Sequence, residues 1–533
     1  IERCWQQRRW RLVKKEMAAE ITGEKIERPS TAGMTTKVIK GSLWTFAGQV
    51  APLAVSLVAT PFTIRLLGAE AYGALILVGL IPTYLGFADF GMGMASTKFG
   101  SEAYAEGDEE KEARVVRTAA LISLMTSVPV AAALMIFAPR VIGLFNVPEA
   151  LQGEAATALR IAAVTLVVNF LCGIFNTPQL ARLRMDLNTF INAGSRILGL
   201  IATPIILYLG FGIVGAVTVL LVASLINLAG HLIVSSEFVP KLLASNVKSI
   251  LIRQLIGFGG GLAFASAAAM IVANAEKSVL PAYVDVKALA YYSVAFTLAT
   301  MATLFSQAMI QSLTPAFSQL QRPEKRHELE NLFFRVLRYN LLLVLPTFFI
   351  LLLIAKPFFF LWAGPEFSEN SVVPFFILLS GLLFNIPAYL PYALIIAQGR
   401  SDIFVKLYAL ESVPYLVLAV IFTQRWGING AAAAWSLRII IDALLLFRIA
   451  GSVNGWSFPL RKLCIRLLPG LILIIGLLAA FLFYNIWWVV LTVAVLSLTA
   501  YSVLAVALAF EKEEIAFVRQ VIIDRFASQK RLV

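Results

Sequence analysis

Residues 41–64 read GSLWTFAGQVAPLAVSLVATPFTI and contain no charged side chain. About 20 apolar residues in a helix cross a hydrocarbon core about 30 Å thick. Further stretches of this kind follow at 71–95, 115–138, 157–176, 188–209, 211–236, 254–275, 288–312, 333–355, 372–397, 403–423, 428–450, 464–484 and 487–510. These runs are too uniformly apolar for barrel strands. The sequence therefore predicts an all-α polytopic membrane protein with about 14 transmembrane helices.

The composition supports this prediction and argues against an enzyme. Charged residues make up 14% of the chain, against about 25% in soluble globular domains. The longest connections, such as 96–114 and 313–332, are much shorter than the roughly 50 residues that an independent domain needs. A membrane polymerase or glycosyltransferase generally needs such a domain to hold its reacting groups. We therefore expect one membrane domain without an appended catalytic module.

The distribution of cations predicts the orientation. Most of the 44 Lys and Arg residues lie in cytosolic segments if the N-terminus is inside, as the positive-inside rule requires. An even number of spans then places both termini in the cytosol. The net charge of +13 indicates contact with membrane lipids that carry anionic headgroups. Nucleic-acid binding is not expected, because the charge is spread over many loops.

The two chain ends and the cysteines suggest no separate site. Residues 1–40 are interpreted as a cytosolic basic tail, in which 1–33 precede Met34 and resemble an upstream extension. Cys4, Cys172 and Cys464 are expected to be free thiols. With only two histidines in the chain, no metal spacing is present. The glycine run at 257–261 is interpreted as a helix-packing element rather than a phosphate loop.

An internal repeat is visible at an offset of about 215 residues. The pattern G-I-x-G-A occurs at Gly212–Ala216 and again at Gly427–Ala431. Ala71–Ala74 resembles Ala288–Tyr291 at a similar offset. Many transporters are built from such repeats.

Each copy of the repeat has six predicted spans, so both copies insert with the same topology. We expect a first six-helix lobe at 41–238 and a second at 239–452, related by a pseudo-two-fold axis along the membrane normal. Residues 453–533 add two helices and a cytosolic tail. Parallel repeats of this kind place a substrate pathway between the lobes.

Several segments are similar to a known family. They are Gly41–Gln49 (GSLWTFAGQ), Arg65–Gly73 (RLLGAEAYG), Phe87–Gly93 (FADFGMG) and Asn274–Lys277 (NAEK). With the repeat, they make the chain resemble the Wzx-like polysaccharide-export flippases of the multidrug/oligosaccharidyl-lipid/polysaccharide (MOP) superfamily.

The resemblance implies movement of a polyprenyl-diphosphate-linked oligosaccharide from the inner to the outer leaflet of the bacterial cytoplasmic membrane. The lipid would serve assembly of O-antigen, capsule or exopolysaccharide, with a polysaccharide polymerase and glycosyltransferases as partners. The predicted number of fourteen spans is also similar to that of the peptidoglycan lipid flippases. A cation-coupled multidrug exporter of the same superfamily is a further alternative.

Charged side chains inside the spans are the candidate site residues, since each costs about 2.5–3.5 kcal/mol at the bilayer centre. Arginine binds phosphate through a planar fork of donors. The candidates for binding the diphosphate and sugars are Arg196, Arg438, Arg65, Arg160 and Lys277. The candidates for coupling to H⁺ or Na⁺ are Glu411, Asp442, Glu276 and Asp89. No other cofactor is expected.

Structural roles are the alternative for each of these residues. The repeat pairs Arg196 with Glu411, and these two could form a salt bridge between the lobes. Arg438 and Asp442 lie one turn apart and could neutralise each other. Arg65 and Arg160 could extend to headgroups. Asp89 could cap a turn.

Overall fold

A computed structural model describes residues 31–240, 242, 249–303, 306, 313–314, 316–400, 402–456, 467–483 and 486–509. The predictions for the basic tail before residue 31, for Cys4 and Cys464 and for the tail after residue 509 lie outside these residues. Parts of the spans predicted at 288–312 and 464–484 lie outside them too. Cys172 is a buried free thiol, as expected.

The described residues form helices that short turns connect, and no strand occurs among them. The helices are α1 (Thr31–Tyr84), α2 (Met92–Ala105), α3 (Glu109–Ile142), α4 (Glu149–Phe175), α5 (Thr177–Ala181), α6 (Met185–Tyr208), α7 (Gly212–Phe238), α8 (Ser249–Tyr283), α9 (Val286–Met301), α10 (Arg326–Ala363), α11 (Pro365–Ala397), α12 (Asp402–Asn454), α13 (Gly470–Leu482) and α14 (Trp487–Ala509). The prediction of an all-α fold is confirmed.

Two of these helices extend across two predicted spans, because each continues through a glycine with non-helical backbone angles. The first, α1, contains 41–64 and the first part of 71–95, and α12 contains 403–423 and 428–450. Gly68 interrupts α1 with φ 75° and ψ 169°. Gly427 interrupts α12 with φ 55° and ψ −130°. Only glycine adopts such dihedral angles readily. Within the described residues, nine helices are long and apolar enough to cross a membrane, and these two are among them. The total of fourteen crossings stays a prediction.

The repeated G-I-x-G-A elements have matching geometry. Gly212 has φ 56° and Gly427 has φ 55°, at the expected offset. At the second glycine of each element the chain folds back tightly. A Cβ at Gly215 would lie 2.4 Å from Phe211 Cβ, and one at Gly430 would lie 1.9 Å from the Phe422 carbonyl oxygen. Both copies therefore use one glycine to turn and the next to pack the returning helix. The boundaries of the lobes and their axis stay predictions.

The two halves of the chain contact each other at the end that is predicted to face outward. The Arg65 guanidinium donates to the Leu361 carbonyl at 2.9 Å. The Trp362 indole donates to the Leu57 carbonyl at 2.7 Å. At Gly73, a Cβ would lie 1.8 Å from the Val286 carbonyl oxygen, so a glycine is needed where α1 crosses α9. These contacts hold α1 against the second half.

Candidate functional site

Three charged side chains of α12 meet inside the second half. The break at Gly427 folds α12 into a hairpin, which brings Glu411 on one arm opposite Arg438 and Asp442 on the other. Arg438 Nη1 lies 3.6 Å from Glu411 Oε2. Glu411 is 8% exposed and Asp442 is 9% exposed, so this group is removed from solvent.

A fourth charged residue joins this group from α8. Glu276 is fully buried, and the Tyr415 hydroxyl of α12 donates to its carboxylate. The Arg438 guanidinium carbon lies 5.2 Å from the centroid of the Tyr415 ring. We call Glu276, Glu411, Asp442 and Arg438 the acidic cluster.

The carboxylates outnumber the guanidinium in the acidic cluster. Both Glu411 oxygens, Asp442 Oδ1 and Glu276 Oε1 are buried and have no hydrogen-bond partner among the described residues. A buried carboxylate without a partner is strongly disfavoured unless it gains a proton or a counter-ion. Nowhere in the described ranges do three acidic, histidine or cysteine side chains converge to hold a metal ion. The three carboxylates of the acidic cluster therefore carry more negative charge, when ionised, than Arg438 offsets.

Lys277 adjoins the acidic cluster but points to a different neighbour. Its Nζ donates to Asn274 Oδ1 at 3.1 Å and lies 4.1 Å from the centroid of the Phe296 ring. Lys277 therefore contacts an amide and an aromatic face here.

Tyr84 connects the first half of the chain to the helix that carries Glu276. Its hydroxyl donates to the Asn274 carbonyl at 2.6 Å and accepts from Ser278 Oγ at 2.7 Å. These two partners lie two residues before and two residues after Glu276. A movement of α8 relative to α1 therefore acts directly on the acidic cluster.

The chain that follows Tyr84 forms a second contact with α8, at the end predicted to face the cytosol. A Cβ at Gly259 would lie 2.3 Å from the Phe90 carbonyl oxygen, and one at Gly91 would lie 2.7 Å from the Gly259 carbonyl oxygen. Lys98 Nζ lies 4.4 Å from the centroid of the Phe258 ring. We call this the glycine contact. The interpretation of the glycine run as a packing element is confirmed at Gly259.

Asp89 shapes the turn that makes the glycine contact. Its carboxylate accepts from the backbone N–H of Gly91 at 2.7 Å and of Gly93 at 3.3 Å. Phe90 and Gly91 both have left-handed backbone angles, with φ of 55° and 68°. This geometry corresponds to the capping alternative for Asp89, and ion coupling by Asp89 stays a prediction.

The remaining predicted residues lie apart from the acidic cluster. Arg160 is exposed and donates to the Met135 carbonyl at 3.3 Å, and Arg65 contacts α10 as described above. Arg196 is exposed on α6. No carboxylate within the described part of the chain forms an ion pair with it. The alternative of a salt bridge between Arg196 and Glu411 is wrong, because Glu411 faces Arg438 instead.

Comparison with known proteins decides the family. The family model described as "Polysaccharide biosynthesis protein" matches residues 64–371, which is more than half of the chain. The chain belongs to this family. A Shigella flexneri protein whose name describes an O-antigen transporter is 23% identical over 419 residues, which cover 77% of this chain and 96% of that protein.

Solved structures assign the fold of this polysaccharide biosynthesis protein. The lipid II flippase MurJ in an inward closed conformation superposes with a TM-score of 0.66 at 16% identity, over 91% of this chain and 100% of MurJ. An inward-facing MATE multidrug transporter of the MOP superfamily gives 0.59 at 15% identity, over 76% and 94% of the two chains. The fold is that of MOP transporters, as the resemblance implied, and no enzyme is among these relatives.

Sequence reasoning missed a polar network in the first half of this family member. His231 is fully buried, with Nδ1 3.2 Å from Gln179 Oε1 and Nε2 3.3 Å from Asn192 Oδ1. Asn227 Nδ2 donates to Ser195 Oγ at 2.7 Å. The spacing of Asn227, His231 and Ser235 by four residues on an apolar helix was the available signal.

Proposed function

We propose that this protein is a flippase that moves a polyprenyl-diphosphate-linked oligosaccharide from the inner to the outer leaflet of the bacterial cytoplasmic membrane. The family places the protein in polysaccharide biosynthesis. The proposed topology has both termini in the cytosol. The product would pass to a polysaccharide polymerase after glycosyltransferases have built the oligosaccharide.

The exposure of Arg196 within an apolar helix is the observation that supports this proposal most directly. It is an exposed guanidinium in the middle of the apolar helix α6 and has no carboxylate partner among the described residues. A cation at that depth is costly unless it meets a cavity or an anion. A diphosphate offers the planar acceptors that a guanidinium binds in a forked geometry. Arg438 is a weaker candidate ligand, since Glu411 already neutralises part of its charge.

The acidic cluster supplies a means of coupling in this proposal. Protonation of its buried carboxylates removes charge from the interior of the second half. Tyr84 binds α8 on both sides of Glu276, so the change is transmitted to the contact between the halves. Alternating access then exchanges two conformations. In one, the glycine contact is broken and the outward end is closed; in the other, the glycine contact is formed and the outward end is open. Protons rather than Na⁺ are proposed as the coupling ion.

Complementation of a strain that lacks the gene tests the proposal. We expect Arg196→Ala to abolish surface polysaccharide and to cause lipid-linked oligosaccharide to accumulate on the inner leaflet, at unchanged protein abundance. Arg196→Lys should restore export only partly, because an ammonium lacks the planar fork. Arg322→Ala, an exposed arginine in a connection, is the matched control and should export normally. Full export by Arg196→Ala would contradict the assignment.

A cation-coupled drug exporter is the second candidate, and the excess of carboxylates in the acidic cluster favours it, since such groups attract organic cations. The two functions differ in a direct assay. Proteoliposomes that contain the purified protein should translocate a lipid-linked oligosaccharide and should leave a cationic dye unmoved. Dye transport driven by a proton gradient, without lipid translocation, would establish the second function and refute the first.

A further inference from the structure

The interface between α6 and α7, which we call the seam, changes from polar to apolar along its length. On α6, the face toward α7 carries Asn188, Asn192 and Ser195 in its first half. The same face carries Gly199 and Ala202 in its second half. Since α6 starts at the end predicted to face the cytosol, the seam is polar near the cytosol and apolar toward the middle and outer part of the membrane.

The polar part of the seam is held rigidly. Asn192 Oδ1 accepts from Asn227 Nδ2 at 3.1 Å, and Asn192 Nδ2 donates to Asn188 Oδ1 at 3.0 Å. His231 fixes Asn192 from behind, as described above. Asn192 is nevertheless exposed, and Asn227 Oδ1 has no hydrogen-bond partner among the described residues. Asn227 Oδ1 is therefore the amide acceptor that remains free for a hydroxyl donor, and it is buried beside the exposed Asn192.

The apolar part of the seam is open. A cavity of about 470 Å³ lies between the two helices. Its walls include Leu198, Ala202, Val219, Val222 and Ile226. The single hydroxyl among the lining residues, that of Thr218, is satisfied by the Val214 carbonyl at 2.7 Å. The cavity therefore offers a surface for hydrocarbon only.

Arg196 stands at the junction of the two parts. It follows Asn192 by one helical turn and precedes Gly199, which lines the cavity, by three residues. From the cytosolic end, the order along the seam is amides, an exposed guanidinium and a hydrocarbon cavity. At 1.5 Å per residue the seam is about 27 Å long from Asn188 to Ile206.

We propose that the α6–α7 seam is a loading site for one lipid class, a polyprenyl phosphate or diphosphate that carries sugar. The amides of Asn188, Asn192 and Asn227 contact the first sugar, Arg196 binds the phosphate and the cavity holds the first isoprene units. This order is the one that a lipid presents in the inner leaflet, with its headgroup toward the cytosol. The inference rests on the proposed function and adds to it the place and direction of loading.

Photo-crosslinking to the purified full-length protein tests the seam. The chain carries p-benzoylphenylalanine at Val222, in phosphatidylcholine nanodiscs that contain a C55 polyprenyl phosphate as the probe. We expect saturable crosslinking, and a half-saturating probe concentration that rises about tenfold in Arg196→Gln through loss of a charge-assisted hydrogen bond. Ala202→Phe should lower crosslinking by narrowing the cavity. Ala229→Phe, on an exposed position of α7 outside the cavity, should leave it unchanged.

The outcomes separate the seam from its alternatives. Equal crosslinking by polyprenyl phosphate, polyprenol and phosphatidylglycerol would mark a crevice that any lipid fills, and would overturn the proposal. So would crosslinking that Arg196→Gln leaves unchanged. If Ala202→Phe lowers the melting temperature of the protein, Val219→Phe is used in its place. Specific crosslinking without translocation in proteoliposomes would refute the flippase and retain the seam. Translocation in proteoliposomes together with crosslinking that Arg196→Gln leaves unaffected would support the flippase and refute the seam.

Discussion

Replacement of Gly259 by alanine should weaken the glycine contact that joins the two halves. A Cβ at Gly259 would lie 2.3 Å from the Phe90 carbonyl oxygen. Carbon and carbonyl oxygen rarely approach closer than about 3.3 Å, so the two backbones must separate by roughly 1 Å. Overpacking of this kind costs about 1–3 kcal/mol. An energy of this size shifts an equilibrium between two conformations by about 5- to 150-fold.

Distances between spin labels measure this shift. Labels at Glu102 and Arg253, both exposed, lie in α2 and α8 on opposite sides of the glycine contact. We expect Gly259→Ala to transfer population from a short to a longer distance in a chain whose native cysteines have been replaced. Gly260→Ala is the matched control, because a Cβ there would meet no described atom within 4 Å. Identical distance distributions for Gly259→Ala, Gly260→Ala and the parent protein would refute the reasoning.

Further predictions concern the acidic cluster, the Asp89 turn and the repeated glycines. Arg438→Ala should destabilise the protein by about 3–5 kcal/mol by leaving Glu411 without its partner, and thermal melting should show that adding Glu411→Gln recovers most of the loss. Asp89→Ala should lower the free energy of unfolding by about 0.5–2 kcal/mol, because a cap is lost. Export should survive in Asp89→Asn, which keeps the acceptor. Loss of export in Asp89→Asn would favour ion coupling instead. Gly427→Ala should lower stability by about 1–2 kcal/mol, because φ is positive there and a Cβ would meet no described atom within 4 Å. Gly212→Ala should lower stability further, because a Cβ at that position would also collide with the Glu154 carboxylate. A melting temperature of Gly212→Ala at or above that of Gly427→Ala would contradict this expectation.

The helices and their repeat could be predicted from the sequence because both depend on local pattern. Apolar length alone indicates a span, and the G-I-x-G-A elements mark equivalent turns without any knowledge of packing. The continuation of α1 through Gly68 and of α12 through Gly427 was harder to predict from the sequence. A single glycine can reverse the chain where sequence patterns suggest a longer connection.

The candidate site could be predicted only in part. Intramembrane charge drew attention to Glu276, Glu411, Asp442 and Arg438, and the structure brings them together. Their partners could not be foreseen, because the Tyr415 hydroxyl reaches Glu276 from another helix and hydropathy contains no information on which helices pack together. The structural alternative of a salt bridge between Arg196 and Glu411 was wrong for the same reason.

The two copies of the repeat have come to differ in charge at matched positions. Where the first copy has Arg196 and Asn227, the second has Glu411 and Asp442. At these matched positions the first copy thus carries one positive charge and the second copy two carboxylates. In the proposed function, a phosphate-bearing cargo at Arg196 and coupling ions at the acidic cluster need not displace one another, since each would bind in its own half of the molecule. Such a division favours mechanisms in which both are bound at the same moment over those in which they alternate at a shared position.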